Sequence, residues 1–517
     1  MKKFRLALIS FSVILTSCFG TTSLEYVSYE ANVEEKETYH SVVSPYQLPK
    51  ETNFYNQSLK TTELNSLAQL QSSKNDSLCF EEGEDPYLLV VPLAFSDSDP
   101  STFEQKSILL QNAFFGSPSK NVYESVASYY NRSSYGHIEI KGQVTEWFTS
   151  SSHLSAEETL SLSKTSSTLK VSSDLANEIV TWLADSDFDL TNYLTEDGKY
   201  IRGLYVVYDY PPNYQDTSSL FWAYVDRADS DETLPAASTY AWSSIDFIGN
   251  NAYKSHYVEA NTFIHEVGHL FGLQDYYNTD NYSIYQPTGF FDMMDYNLGD
   301  HSSFSKYLLN WATPYIVNEP QDITIRSFTE TGDFILMPTS SFNNSPYDEY
   351  ILIEYFTPTG LNDSSSFSSY VYTDGDGKTR IFNYPSYHGL RIYHIDARLV
   401  YYSPKNARTP LGFVENLSAE SLASYSNLYV GFAHDNSPNS LSKNMLCHLL
   451  SAEGESDFIN GIAANNSTLF AYDDTFGTQG DEYYDFTFNK NGENLPLSIS
   501  IDKIGTENIT LSFKQRA

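Results

Sequence analysis

Apolar and polar positions along this chain follow two rhythms, with a change near residue 320. "PYLLVVPLAFSD" (Pro86 to Asp97) is a continuous apolar, partly β-branched run closed by turn residues, the pattern of a buried strand. "SDPSTFEQKSILLQNAFFG" follows at helical spacing, with Ser101 and Glu104 placed for a capping box and Gly116 for the stop. "ESVASYYNRSSYG" predicts a second helix ended by Gly136, and "HIEIKGQVTEWF" an alternating strand or hairpin. After a Ser-rich stretch, "DLANEIVTWLADS" reads as a helix and "GLYVVYDY" (Gly203 to Tyr210) as another buried strand. Phe263, Ile264, Val267, Leu270 and Phe271 then recur at helical spacing, with Asn261 or Thr262 as N-cap. Past residue 320 come short alternating segments, "DFILMP", "YILIEYF", "GLRIYHID" and "LPLSISID", separated by Gly, Asn, Asp and Ser turns. This order predicts an α/β (α+β) domain over 85–318 and a β-rich C-terminal region over 319–517. Residues 19–84 are rich in Ser, Thr, Glu, Asn and Gln and poor in apolar runs, so they read as a largely disordered tether or pro-segment.

The first 18 residues carry a different signal. "MKKFR" is basic, "LALISFSVILT" is apolar, and Leu15-Thr16-Ser17-Cys18 follows at once. This resembles the lipobox of bacterial lipoproteins, which implies a signal peptide over 1–18 and lipidation of Cys18; a plain signal peptide with an incidental cysteine is the alternative. The apolar run is too short to span a bilayer, and no later segment reaches the ~18 apolar residues a spanning helix needs. The expected location is therefore extracytoplasmic, anchored by lipid alone to the bacterial cell membrane, or otherwise secreted. Cys79 and Cys447 are the other two cysteines; an exported chain can pair them or bury them as thiols, and spacing does not choose. "DSLCFEEGEDPY" around Cys79 lacks the surroundings of an inhibitory metal-binding thiolate.

Composition narrows the partners. With 517 residues, 41% hydrophobic and 19% charged, the chain has the make-up of an ordinary globular protein with more than one core. Its 66 acidic against 30 basic residues leave a net charge of -36, which repels nucleic acid and anionic membrane surfaces. A monomer is expected, with no nucleic-acid partner, and with no P-loop or dinucleotide fingerprint.

The chemistry concentrates in "NTFIHEVGHLFGLQDYYN" (Asn261 to Asn278). His265 and His269 stand four apart on the predicted helix, so both imidazoles project from one face and can hold one zinc ion. Glu266, beside the first ligand, is placed to act as general base toward a zinc-activated water. Gly272, three residues after His269, can turn the chain back in a left-handed conformation, and Asp275 arrives three residues later as a third ligand. A Glu on a separate downstream helix is the alternative third ligand. Asp280, Asp292 and Asp295 are also near in sequence; Asp292 is better read as a hydrogen-bonding support for the turn that carries it. His256 and His301 are isolated histidines without an assigned role.

This spacing resembles the long metzincin motif H-E-x-x-H-x-x-G-x-x-H with Asp in the last place. The resemblance implies a Met-containing turn under the metal, supplied by "GFFDMMDYN": Met294 heads the Met-x-Tyr form, and Tyr296 inherits the role of oxyanion stabiliser. More widely, "LLVVPLAFSD", "ASYYNRSSYGHIEIKGQVTEWF", "TFIHEVGHLFGLQDYY", "FFDMMDY" with "SKYLLNW", and "EYILIEYFTPTGLN" followed by "GLRIYHID" resemble, in order, the immune inhibitor A family of secreted bacterial metallopeptidases. Phe291 departs from that family, which usually has Trp there. The resemblance implies a zincin/metzincin-like catalytic domain, with a twisted sheet behind the motif helix and substrate along the sheet edge. The expected activity is zinc-dependent endopeptidase cleavage of protein or peptide substrates. A catalytically silent zincin-fold adhesin is the rival from another class. Structural Ca2+ has two candidate loops, "TDGDGKT" (Thr373 to Thr379), better read as a hairpin turn, and "YDDTFGTQGDEYYD" (Tyr472 to Asp485), better read as a solvated loop. The two histidines of "HGLRIYHID", His388 and His394, fall on what the resemblance implies is a structural strand, and no second metal is expected there.

Overall fold

The computed structural model describes Phe80 and residues 85–516, apart from 229–233, 250–251, 256, 279–284, 404–405, 419–420, 423, 426–427, 434–435, 437–444 and 455. Residues 1–18 with Cys18, the rest of the 19–84 segment including Cys79, His256 and Asp280 lie outside the described residues. No described helix is long and apolar enough to cross a membrane.

The chain folds as a mixed α/β structure with a β-rich C-terminal region. Its N-terminal half is built on a sheet of β1 (Tyr87–Ala94), β2 (Lys141–Val144), β3 (Phe148–Thr149), β4 (Leu204–Tyr208), β5 (Tyr224–Arg227) and β6 (Thr239–Ser244). The lateral order is β2-β1-β4-β6-β5, with β3 also on β1. All neighbours are parallel except the edge strand β5, which runs antiparallel to β6. The "HIEIKGQVTEWF" segment is therefore two parallel edge pieces and not a hairpin. Parallel strands must be covered on both faces, and β1 and β4 are apolar at nearly every position for that reason. Leu88, Val90, Tyr205 and Val207 face one way, toward helices α1 (Phe103–Phe115), α2 (Val126–Ser133) and α5 (Asn261–Leu270). Leu89, Val91, Leu204 and Val206 face the other, toward α4 (Thr168–Ala184), with the shorter α3 (Ala156–Thr165) beside it. Phe80 already belongs to the first of these cores, against Phe271, so the packed part begins before residue 85.

Two local expectations need correction. Asp99, not Ser101, opens the segment before α1: its carboxylate accepts from Ser101 N at 3.0 Å across a short turn started by Pro100, and α1 begins only at Phe103. A proline with fixed φ and an Asp one residue before it make the better initiator. Helix α5 has Ala260 as its N-cap, with no side-chain cap. Asn261 is already helical and sends its amide instead to Asn297 O, 2.9 Å away.

The C-terminal strands are present where the sequence placed them, but the inner ones do not alternate in exposure. Strands Glu349–Phe356 and Gly389–Asp396 are buried at all eight positions, because their five-stranded sheet is packed on both sides. One face, with Ile351, Ile353, Leu390 and Ile392, meets the antiparallel sheet of Gln321–Arg326, Leu497–Ile504 and Asn508–Gln515. The other face, with Leu336, Tyr350, Leu352 and Tyr393, shares a core with Leu273, Tyr276, Phe291, Met294 and Phe304. That second core joins residues on both sides of position 318, so the boundary does not fall between separate cores.

Candidate metal centre

Helix α5 places His265 and His269 one turn apart, and their ring planes meet at 85°. Its end is sharp: Gly272 takes φ 94°, its amide bonds to His269 O at 2.8 Å, and Leu273 N returns to Gly268 O at 3.1 Å. The reversed chain brings Asp275 over the helix, and Tyr276 N holds it by donating to Met294 O at 2.8 Å. Asp275 Oδ1 then lies 3.0 Å from His265 Nε2 and 3.2 Å from His269 Nε2. All three ligand atoms are within 4.8 Å of one another, and among the described residues this is the one His/Cys/Asp/Glu group so placed.

Both imidazoles are oriented from behind. His265 Nδ1 is 2.8 Å from Met293 O, and His269 Nδ1 is 2.8 Å from Leu273 O. A carbonyl only accepts, so each Nδ1 carries a proton; a carboxylate also only accepts, so each Nε2 donates to Asp275 Oδ1 and gives up that proton when a cation takes its place. Glu266 is 4% exposed, and its Oε2 is a buried acceptor without a hydrogen-bond partner. Burial also raises its pKa above the usual carboxylate value, with the two imidazoles opposing. For His269, burial works against the charge but Asp275 outweighs it and lifts the pKa to about 9. Asp275 is held far below the carboxylate range, the histidines outweighing its own burial. The side chains of His269 and Asp275 are 18% and 24% exposed against 7% for His265, so access to the group is from their side.

The turn under this group is densely fastened. Asp292 Oδ1 accepts from Met294 N at 2.8 Å, and its Oδ2 from Ser302 N at 3.0 Å, the supporting role expected of it. Asp295 Oδ2 accepts from Phe290 N at 2.8 Å and from the Thr288 hydroxyl. Phe290 has φ 65°, unfavourable for a bulky residue, and is held among Tyr296, Tyr372 and Phe382. Met294 packs directly beneath α5, where a Cβ on Gly268 would run into its sulfur. This is a reason for glycine inside the motif that the ligand spacing did not reveal. The available signal was a glycine in mid-helix, where it costs about 1 kcal/mol unless packing requires it.

Other sequence candidates lie elsewhere. Tyr296 is buried, with its ring against Phe290 at 4.5 Å and stacked on Tyr370 at 5.0 Å, and the charge acting on it is that of Asp295. The Tyr296 ring thus packs in the floor. Tyr130, which sequence reasoning passed over, donates to Ile264 O at 2.7 Å and feels the charge of Glu266. His301 is fully buried between Tyr129, Tyr130 and Trp311, and burial lowers its pKa to about 3. His388 lies 3.0 Å from the Tyr355 hydroxyl, and His394 pairs with Glu349 at 2.9 Å. The "TDGDGKT" segment closes a hairpin between Tyr370–Thr373 and Thr379–Phe382. There Asp374 takes the amides of Asp376 and Lys378 and pairs with Arg380. In the 472–485 loop, Asp474 and Asp481 accept the amides of Ala471, Thr478 and Tyr483. Cys447 is a buried free thiol.

No protein-family model matches the chain, and no curated protein matches it at a significant level.

Proposed function

We propose that this chain is a zinc-dependent endopeptidase of metzincin type, related to the immune inhibitor A family and held outside the cell by a lipid on Cys18. The observation that carries the reading is the convergence of His265 Nε2, His269 Nε2 and Asp275 Oδ1 beside the unpartnered Glu266 Oε2. Donors around a tetrahedral zinc with bonds of about 2.0–2.1 Å are spaced by roughly 3.3 Å, close to the 3.0 and 3.2 Å separations here. Two neutral imidazoles and one carboxylate suit a borderline cation, and both histidines are already oriented by backbone carbonyls. The sheet supports the same reading: it is parallel throughout except for one antiparallel edge strand, β5, which lies next to α5.

His265, His269 and Asp275 would hold the zinc ion, which would supply Lewis acidity toward a water, bringing its pKa to roughly 7, and toward the scissile carbonyl. The protein's part falls to Glu266. Its buried carboxylate, made more basic by desolvation, accepts the proton of the attacking water and returns it to the departing amine. Asp275 opposes the charge of the cation, and the carbonyls of Met293 and Leu273 keep both rings in one orientation. The lipid anchor rests on the sequence at Cys18, and protein or peptide substrates rest on the resemblance of the motif to the metzincins.

Glu266→Gln is the deciding variant. It is expected to keep one zinc per chain while casein cleavage falls at least ~1,000-fold. Unchanged cleavage would overturn the mechanism, and a wild-type protein that binds zinc but cleaves nothing would favour the silent adhesin. Asp275→Ala is expected to lower bound zinc well below one per chain; full occupancy would return the third ligand to a Glu elsewhere.

A further inference from the structure

Two fully buried charges in the C-terminal sheet lie next to the metal-centre floor without belonging to it. Glu354 and Arg391 face each other across the antiparallel strands Glu349–Phe356 and Gly389–Asp396. Their side chains have no exposure, and their charges are in direct contact without the alignment of a hydrogen bond. The Arg391 guanidinium lies over the Phe291 ring at 4.8 Å and the Phe356 ring at 5.1 Å, and Nη1 donates to Phe291 O at 3.4 Å. Glu354 Oε2 accepts from Ser303 N at 2.8 Å. The pair thus grips both ends of the turn, Phe291 at its start and Ser303 at its end. Asp292 ties the same ends together through Met294 N and Ser302 N. Two residues after Phe291 comes Met293, whose carbonyl orients His265.

A buried ion pair is a poor device for stability, since apolar residues of similar size often do as well or better. What it provides is one fixed geometry. The left-handed Phe290 just before the gripped residue is a conformation that the surroundings must impose. The Phe291 ring, where the resembling family usually has Trp, is the surface on which the guanidinium rests.

We propose that Arg391 is a positioning residue for the metal ligand His265, acting through Phe291 and the Met293 carbonyl, with Glu354 holding Arg391 and the far end of the turn in place. The C-terminal sheet is on this view part of the metal centre and not an appended module. The inference rests on the proposed zinc site.

The test compares the full chain with Arg391→Met/Glu354→Leu, which removes both buried charges together. A zinc dissociation constant is measured by competition with a chromophoric chelator, the visible spectrum is recorded with Co2+ in place of zinc, and Tm is taken without metal. The double variant is expected to keep its metal-free Tm within about 4 °C. It should bind zinc about 10- to 100-fold more weakly, as loss of outer support for a ligand does, and show a shifted Co2+ spectrum. Arg391→Lys keeps the charge but loses the planar contact with Phe291, so it should show at least a ~5-fold loss of affinity with an unchanged fold; it carries the test if the double variant does not fold. His394→Phe/Glu349→Gln removes another buried pair of the same two strands, one bonded to the amides of Asn489 and Lys490 instead of the turn, and should leave zinc affinity within ~3-fold of wild type. Wild-type affinity and spectrum in the Arg391 variants, or an equal loss in the His394/Glu349 variant, would overturn the positioning role while leaving the zinc site standing. A wild-type chain that binds no zinc would remove both.

Discussion

His265 and His269 are the same residue on the same helix, aimed at the same point, yet they are held in different ways. The ring of His269 is oriented by Leu273 O, four residues along the chain. The ring of His265 is oriented by Met293 O, 28 residues away, and that carbonyl belongs to a turn packed in a core reaching as far as Leu469. One imidazole is placed by the local geometry of a helix end, the other by the assembly of two halves of the protein. The difference teaches that a motif can be contiguous in sequence while its precision is not. A helix brings the two imidazoles to within about a turn, but half an ångström at a metal ligand depends on what stands behind it.

The strongest challenge to this comparison is to remove the second half. A chain ending at residue 318 keeps every proposed ligand but loses Leu336, Tyr350, Leu352, Tyr393 and Leu449 from the core under Met294. It is expected to lack cooperative unfolding and stoichiometric zinc; a well-folded, zinc-binding fragment would show that His265 needs no distant support. Next is Gly268→Ala, which forces a methyl group against Met294. A loss of about 1–3 kcal/mol is expected by denaturant unfolding, with weaker zinc binding.

Asp295→Asn addresses the floor alone through pH. Burial raises the Asp295 pKa to about 7 from a usual value near 4. A carboxyl whose folded pKa is raised contributes stability that is full below pH 4 and is lost as pH rises through 7. The Asn variant should therefore lose less stability than wild type between pH 4 and 7, by up to roughly 1.4 kcal/mol per pH unit. Parallel unfolding curves across that range would contradict the assignment. Tyr276→Phe, which removes the bond to the Ser305 hydroxyl at 2.7 Å, should cost about 1 kcal/mol. The smallest effect is expected of Tyr296→Phe: with the ring packed in the floor, kcat should change less than ~3-fold, and a 100-fold fall would restore the oxyanion role to its hydroxyl.

Much of this was legible in the sequence because it is periodic. The runs of β1 and β4, the helix around His265 and the left-handed Gly272 depend on local spacing and backbone sterics, which the residues themselves display. The errors have local causes too: Ser101 has the same capping chemistry as Asp99, and only the path of the chain showed which one opens the turn leading into the helix. The strands after residue 320 were placed correctly, but their burial on both faces was hidden, because it depends on which sheet packs against which core.

By itself, then, the sequence determined which side chains meet: two imidazoles a helical turn apart, a carboxylate next to one of them, and a second carboxylate returned by a glycine turn. Hydrogen bonding and backbone geometry over fewer than fifteen residues suffice for that. Only the tertiary structure decided how firmly they are held, through Met294 under Gly268, Met293 O behind His265 and Arg391 against Phe291. Those contacts join segments 26 to 100 residues apart, and no periodicity records which distant segment closes over a turn.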